Sequence, residues 1–188
     1  FTTDNNAIYA ADALQSLRNA KAQGALVMHN HPGWRRKSLE HPEFEVAAYG
    51  EGLIDGIEIM NGGEFYPKAI SRAHAKNLFV SANTDIHDSA TETYRAQGHR
   101  RNMTLIFAKE NTLEALREAI EARRTLAYSF GTIAGDEQLL KDLFTASVRT
   151  SVLHTDAKGR RTVSLTNNSS VQYVLRLPGQ NPFILNPF

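Results

Sequence analysis

Up to about residue 147, short apolar runs alternate with amphipathic segments, joined by connections of only a few residues. This rhythm is typical of an α/β domain in which successive strands lie parallel in a sheet or barrel. The apolar runs predict strands over 25–28, 54–60, 78–80, 103–108 and 125–130. The amphipathic segments predict helices over 5–23, 42–49 and 67–77, one that begins after Asn111, and one over 136–145. We therefore expect an α/β fold for residues 1–147.

Helix boundaries are predicted from capping residues. Asn6 is expected to cap the first helix, and Gly24 follows it as a stop signal. Asn111 with Glu114 resembles a capping arrangement for the helix that follows the run 103–108. Pro67 suits the first position of the third helix, where its missing N–H costs nothing.

The last forty or so residues follow a different pattern. Runs over 148–154, 161–166 and 171–177 alternate in polarity and are separated by polar turns, which indicates antiparallel strands. We expect residues 148–188 to form a small β-rich module that is incomplete as a sandwich.

Composition excludes several classes of function. The 188 residues include no cysteine, so disulfides, thiol nucleophiles and cysteine-based zinc fingers are ruled out. A net charge of +1 gives no electrostatic case for a nucleic-acid groove or for binding to a membrane surface. No apolar run approaches the roughly 20 residues of a transmembrane helix, and the lack of cysteine is compatible with either cytoplasm or periplasm.

Polar residues directly follow three of the predicted strands, in the segments 29–34, 61–64 and 85–88. In a parallel α/β barrel the carboxyl ends of the strands carry the active site, because the βα loops converge there. Asp85 and His87 are two residues apart, so in extended backbone their side chains point the same way with Cα atoms about 6.6 Å apart. Mixed ligation by His and Asp suits zinc, iron or manganese. The second candidate element is the His-x-His of His29 and His31, in which His29 is either a donor or a residue inside the strand.

Each of these signals has a plainer explanation. An isolated Asp-x-His or His-x-His is usually an ordinary polar loop. The two together, each just past an apolar run and separated by two helical segments, give the metal hypothesis equal weight. Glu58 is either a buried functional carboxylate or a sign that its strand is exposed on one side. The pair His99 and Arg100 either clamps an anion or is a solvated charge cluster, and Trp34 either walls a pocket or covers the core.

Four segments carry a resemblance to a known family: NHPGWRR (30–36), GIEIMNGGE (56–64), NTDIH (83–87) and HRRNMTLIFAKE (99–110). They resemble the later motifs of PHP-domain metal-dependent phosphoesterases. The resemblance covers about residues 10–147 and is strongest to an exported bacterial subgroup of phosphodiesterase-like members with a C-terminal β domain.

The resemblance implies a distorted (β/α)7 barrel, similar to a TIM barrel, with two or three divalent metal ions, zinc, manganese or iron. It implies His31, Asp85 and His87 as metal ligands, and Arg100, His99 and Trp34 as groups on the substrate side. The implied reaction is hydrolysis of a phosphodiester or phosphomonoester by metal-activated water, with no side-chain nucleophile. The implied partner is a small phosphorylated substrate, and the subgroup implies a periplasmic or extracellular location.

The family's early motifs, a His-x-His, an Asp-His pair and a bridging Glu, have no counterpart in this sequence. We therefore expect residues 1–147 to be the C-terminal half of the barrel, with the remaining ligands supplied from outside it. The competing hypothesis is a non-catalytic binding or scaffold protein on a degenerate barrel, with the β tail as its partner surface. It predicts no bound divalent metal.

Overall fold

The structure of the chain, a computed structural model, describes residues 4–33, 43–89, 94 and 100–187. Two compact units are present, Phe1–Asp136 and Glu137–Phe188. The first is a mixed α/β unit, and the second joins one helix to antiparallel strands. The assignment of 1–147 and 148–188 to separate domains remains a prediction about the whole protein.

Five helices lie within the described residues: α1 (Ala13–Ala22), α2 (Glu43–Gly50), α3 (Pro67–Lys76), α4 (Leu113–Glu121) and α5 (Glu137–Ser147). None of the five is long and apolar enough to span a bilayer.

Two predicted helix starts were wrong. Helix α1 begins after Asp12, whose carboxylate accepts a hydrogen bond from the Leu14 N–H, whereas Asn6 lies in a turn. Helix α4 is capped by Thr112, whose hydroxyl accepts from the Ala115 N–H, and not by Asn111. In both cases several cap-forming residues stand close together, and local sequence does not decide which of them reaches the free N–H groups.

Eleven strands complete the fold: β1 (Met28–His29), β2 (Gly56–Asn61), β3 (Glu64–Phe65), β4 (Phe79–Asn83), β5 (Met103–Ile106), β6 (Thr125–Ser129), β7 (Thr132–Gly135), β8 (Val148–Thr155), β9 (Arg161–Asn167), β10 (Tyr173–Leu175) and β11 (Phe183–Leu185). Strand β2 pairs in parallel with β1 and with β4, as the alternating pattern predicts. It also pairs antiparallel with the short β3.

Strands β5, β6 and β7 do not continue the parallel arrangement. They pair antiparallel, β5 with β6 and β6 with β7, the last two through a two-residue loop of Phe130 and Gly131. Both loop residues have positive φ, 45° and 78°, as a tight hairpin with the right strand twist requires. The strands of the described residues form four separate sheets and no closed barrel, so the (β/α)7 barrel stays a prediction.

The two sheets of the first unit meet along β4 through threonine hydroxyls. The Val80 N–H donates to the Thr125 hydroxyl at 3.1 Å, and the Ala82 N–H donates to the Thr104 hydroxyl at 3.1 Å. The side-chain amide of Asn102 donates to the Asn83 carbonyl at 2.9 Å. These side chains satisfy backbone groups of β4 that would otherwise need a neighbouring strand.

The core of the first unit centres on β2. All six residues of this strand are buried, and Ile57 and Ile59 are fully enclosed. Gly56 packs closely against the Phe79 ring, and an added Cβ at this position would come within 2.2 Å of that ring. The burial of the whole strand decides the question about Glu58: its carboxylate is buried, and the strand is not exposed on either side.

In the second unit, β8 pairs antiparallel with β9, and β10 pairs antiparallel with β11. Antiparallel strands were expected here, but the run 171–177 forms a strand only over Tyr173–Leu175, and β11 was not predicted. Asn167 explains the short strand, since its side-chain amide donates to the carbonyls of Val171 and Asn186 and fixes the chain before β10 begins.

Replacing Thr125 with Val tests the connection along β4. Thr125 is buried, so Thr125→Val keeps the shape but leaves the Val80 N–H without its acceptor. The expected loss is about 1–3 kcal/mol in unfolding free energy, measured by urea denaturation. Thr132, at the start of β7, is exposed, so Thr132→Val is the matched control and should stay within about 0.5 kcal/mol of wild type. Equal effects at both positions would contradict this interpretation of β4.

Candidate metal centre

The carboxyl ends of β1, β2 and β4 bring the polar segments of the sequence together. His31 lies two residues beyond β1, Asn61 is the last residue of β2, and Asp85 lies two residues beyond β4. Because β2 runs parallel to β1 and to β4, the three ends lie at one edge of the sheet. This is the convergence that the strand pattern predicts.

Asp85 stands between the two predicted histidines. Its Oδ1 atom lies 3.8 Å from His31 Nε2 and 3.8 Å from His87 Nε2. The side chains differ in exposure, with His31 at 35%, Asp85 at 48% and His87 at 87%. The structure thus brings His31, Asp85 and His87 together at the solvent-facing end of the sheet.

Both His31 and Asp85 have left-handed backbone, with φ of 50° and 48°. Residues other than glycine adopt this region at a cost of about 1–3 kcal/mol unless the surroundings compensate it, and such residues cluster at functional sites. The turn at His31 has a visible compensation, because its backbone N–H donates to Glu58 Oε2 at 2.7 Å.

Glu58 is the buried charge beneath this edge, with a side chain only 1% exposed. Its Oε1 accepts from the Asn83 amide at 2.7 Å, and its Oε2 accepts from the Asn61 amide at 3.1 Å and from the His31 backbone. His31 Nδ1 lies 3.2 Å from the same Oε2. Hydrogen bonds of this number offset the cost of burying a carboxylate.

The donor chemistry of His31, Asp85 and His87 fits a divalent transition metal. Two donors bound to one tetrahedral zinc ion lie about 3.4 Å apart, close to the two observed nitrogen–oxygen distances of 3.8 Å. The described part of the chain nevertheless contains no group of three or more such side chains already arranged around one point. The three residues therefore fit a metal ion in type, and each histidine fits it in its spacing to Asp85. Sharing one ion would require movement of the side chains.

The other predicted site residues are less closely placed. Arg100 is exposed at the start of the segment before β5, and Trp34 and His99 lie outside the described residues. His29 belongs to a different environment, where its Nδ1 lies 2.7 Å from the Tyr49 hydroxyl and its Nε2 lies 3.7 Å from Glu45. A cavity of about 160 Å³ between β1 and the helices α1 and α2 contains this group.

The Tyr66 ring packs against Gly33, two residues after His31. An added Cβ on Gly33 would lie 2.6 Å from the Tyr66 ring, so only glycine allows this contact. The Tyr66 hydroxyl donates to the Glu64 carboxylate. Burial raises the pKa of Tyr66 well above its usual range, and the hydrogen bond to Glu64 and the negative charges of Glu64, Glu58 and Asp85 raise it further.

Sequence reasoning did not assign the asparagines that organise this edge, Asn61, Asn83 and Asn102. The Asn102 side chain is buried, donates to the Gly62 carbonyl at 2.8 Å, and accepts from the Ser129 hydroxyl at 2.9 Å. The available signal was a polar residue directly before or at the end of each apolar run, together with one carboxylate, Glu58, inside such a run.

Comparison with known proteins adds one informative relative. The chain is similar in structure to a two-domain protein from Bacteroides vulgatus ATCC 8482 that contains a predicted PHP-like metal-dependent phosphoesterase, with a TM-score of 0.88 and 32% sequence identity. The similarity covers 100% of this chain but 57% of that protein, so the chain spans a little over half the length of its relative. No protein-family model matches the chain, and no curated protein matches it.

Tyr66→Phe tests the negative surroundings of this hydroxyl. The difference between the spectrophotometric titrations of wild type and variant isolates the Tyr66 phenol, and its midpoint should lie well above the ordinary value of about 10. Because its pKa is higher in the folded than in the unfolded chain, its contribution to stability is complete below about pH 10 and is lost as the pH rises further. A midpoint near 10 would contradict the described contacts.

Proposed function

We propose that the chain is part of a metal-dependent phosphoesterase that hydrolyses a small phosphate ester. The observation that carries the proposal is the grouping of His31, Asp85 and His87 at the carboxyl ends of parallel strands. The similarity to a protein that contains a predicted PHP-like metal-dependent phosphoesterase supports it, as do the sequence motifs. A small phosphorylated substrate and a periplasmic or extracellular location are part of the proposal.

In this proposal His31, Asp85 and His87 would hold a divalent cation, which would supply Lewis acidity toward phosphoryl oxygens and toward water. Glu58 and Asn83, which hydrogen bond at 2.7 Å, keep the turn at His31 in place against the end of β4. Arg100 supplies a positive charge for the phosphate oxygens of the substrate, since guanidinium binds them through paired hydrogen bonds.

Asp85→Asn tests the metal assignment. We expect the full-length protein to bind two or three equivalents of zinc, manganese or iron, measured by elemental mass spectrometry, and to hydrolyse bis(4-nitrophenyl) phosphate or 4-nitrophenyl phosphate. The variant should lose metal and activity together, because an amide oxygen carries no charge to hold the cation. Asp88→Asn changes an exposed carboxylate three residues further along and should retain both.

Unchanged turnover in metal-replete Asp85→Asn protein would contradict the assignment of Asp85 as a metal ligand. Less than a tenth of an equivalent of metal in wild type, unrecovered after metal is added back, would overturn the enzyme proposal itself. That result would favour the alternative of a binding or scaffold protein.

Arg100→Ala tests the substrate-side charge separately from the metal. The expected result is a KM for the phosphate ester raised about tenfold, with metal content unchanged, because a charge-assisted hydrogen bond contributes about 1.5 kcal/mol or more. Arg149→Ala removes an exposed arginine of β8 and serves as the control. A KM for Arg100→Ala equal to that of Arg149→Ala would show that Arg100 is a solvated surface charge.

A further inference from the structure

The starting observation is a triangle of polar atoms around the ring of His31. Its Nδ1 lies 2.6 Å from the Asn61 amide nitrogen and 3.2 Å from Glu58 Oε2, and these two partners are themselves 3.1 Å apart. An amide N–H is a donor and a carboxylate is an acceptor, so the two partners make opposite demands on Nδ1. Nδ1 satisfies Asn61 when it carries no proton and satisfies Glu58 when it carries one.

The demands on Nδ1 determine the state of Nε2 at the other side of the ring. A neutral imidazole has one proton, so a proton on Nδ1 leaves a lone pair on Nε2, the nitrogen that faces Asp85 Oδ1 at 3.8 Å. A proton on Nε2 blocks metal binding there, since a metal ligand must offer a lone pair. The contact between Asn61 and Nδ1 therefore favours the tautomer that cannot bind metal through Nε2.

Glu58 is built to support the other tautomer. It is 1% exposed and is held by the Asn83 amide at 2.7 Å, so its carboxylate has a fixed place below the ring. It also accepts the backbone N–H of His31 at 2.7 Å, which fixes the left-handed turn from which the ring projects. A carboxylate that accepts the second N–H of a histidine commonly orients that histidine toward a metal.

We infer that Glu58 is the positioning residue that selects the metal-binding tautomer of His31, and that Asn61 opposes it by holding the tautomer without a lone pair on Nε2. This inference rests on the proposed function, because it assigns His31 Nε2 to a metal ion. It adds Glu58 to the proposed site as a residue that prepares the His31 ligand without touching the ion itself. A His31 that held a cation through Nε2 would hydrogen bond through Nδ1 to Glu58 and no longer accept from Asn61.

Glu58→Gln and Asn61→Ala test the inference because they should act in opposite directions. Glu58→Gln keeps the size of the side chain but removes the anionic acceptor, and Zn²⁺ affinity, measured by competition with a chromophoric chelator, should fall about 10–100-fold. Asn61→Ala removes the opposing donor, so the affinity should equal or exceed that of wild type. Glu121→Gln, on the exposed face of α4, is the matched control and should not change the affinity.

A second readout does not depend on metal. Long-range ¹H–¹⁵N correlation spectra of the metal-free protein distinguish the two histidine tautomers, with His31 assigned by its loss in His31→Gln. The Nδ1–H tautomer should be less populated in Glu58→Gln and more populated in Asn61→Ala than in wild type. Thermal melting of all four proteins shows whether Glu58→Gln still folds. If it does not, Asn61→Ala still tests the inference, because its Nδ1–H tautomer should be more populated than in wild type while its Zn²⁺ affinity does not fall.

The outcomes separate this inference from the proposed function. Wild type that binds Zn²⁺ while Glu58→Gln binds it equally well, with an unchanged His31 tautomer, would overturn the inference alone. Equal losses in Glu58→Gln and Asn61→Ala would also overturn it, because they indicate general support of the fold. Wild type that binds no Zn²⁺ and hydrolyses no phosphate ester would overturn the proposed function, and the role of Glu58 with it.

Discussion

The arrangement of the candidate site depends on one buried carboxylate. Glu58 lies inside a strand whose every residue is buried, and a charge there is tolerated only where hydrogen bonds replace its water. Those bonds come from the turn after β1, from the end of β2 itself and from the end of β4. The requirement to satisfy Glu58 therefore holds three strand ends in one geometry and places His31 and Asp85 opposite each other.

A second set of side chains extends this organisation away from β2. Among the described residues no strand pairs regularly with the other edge of β4, where the hydroxyls of Thr104 and Thr125 take the place of backbone carbonyls and N–H groups. The Asn102 side-chain amide extends this connection by donating hydrogen bonds to the carbonyls of Gly62 and Asn83. This polar connection lets an antiparallel sheet follow a parallel one without a continuous ladder, and it also fixes the loop behind Asp85.

Prediction from sequence was strong where a signal is local and weak where it is not. Both ends of α3 followed from local signals: Pro67 marks its start, and the helix stops at Asn77, which adopts the left-handed cap. The antiparallel pairing of β5 with β6 could not be predicted from sequence. The intervening helix α4 can return the chain to either end of β5, so the pattern allows either strand direction. The asparagines of the site carried only a weak signal, a polar residue beside an apolar run, which many ordinary strand ends share.

The amino-acid sequence by itself determined the alternation of strands and helices in the first 147 residues and the presence of His31, Asp85 and His87 just beyond strand ends. These features follow from periodicity and from residue type, which are properties of neighbouring positions. Only the tertiary structure decided that Glu58 faces His31 rather than solvent, and that Asn61 and Glu58 both reach Nδ1. Contacts between residues 27 and 30 positions apart depend on how two strands align, and hydrophobic pattern alone does not specify which polar atoms then meet.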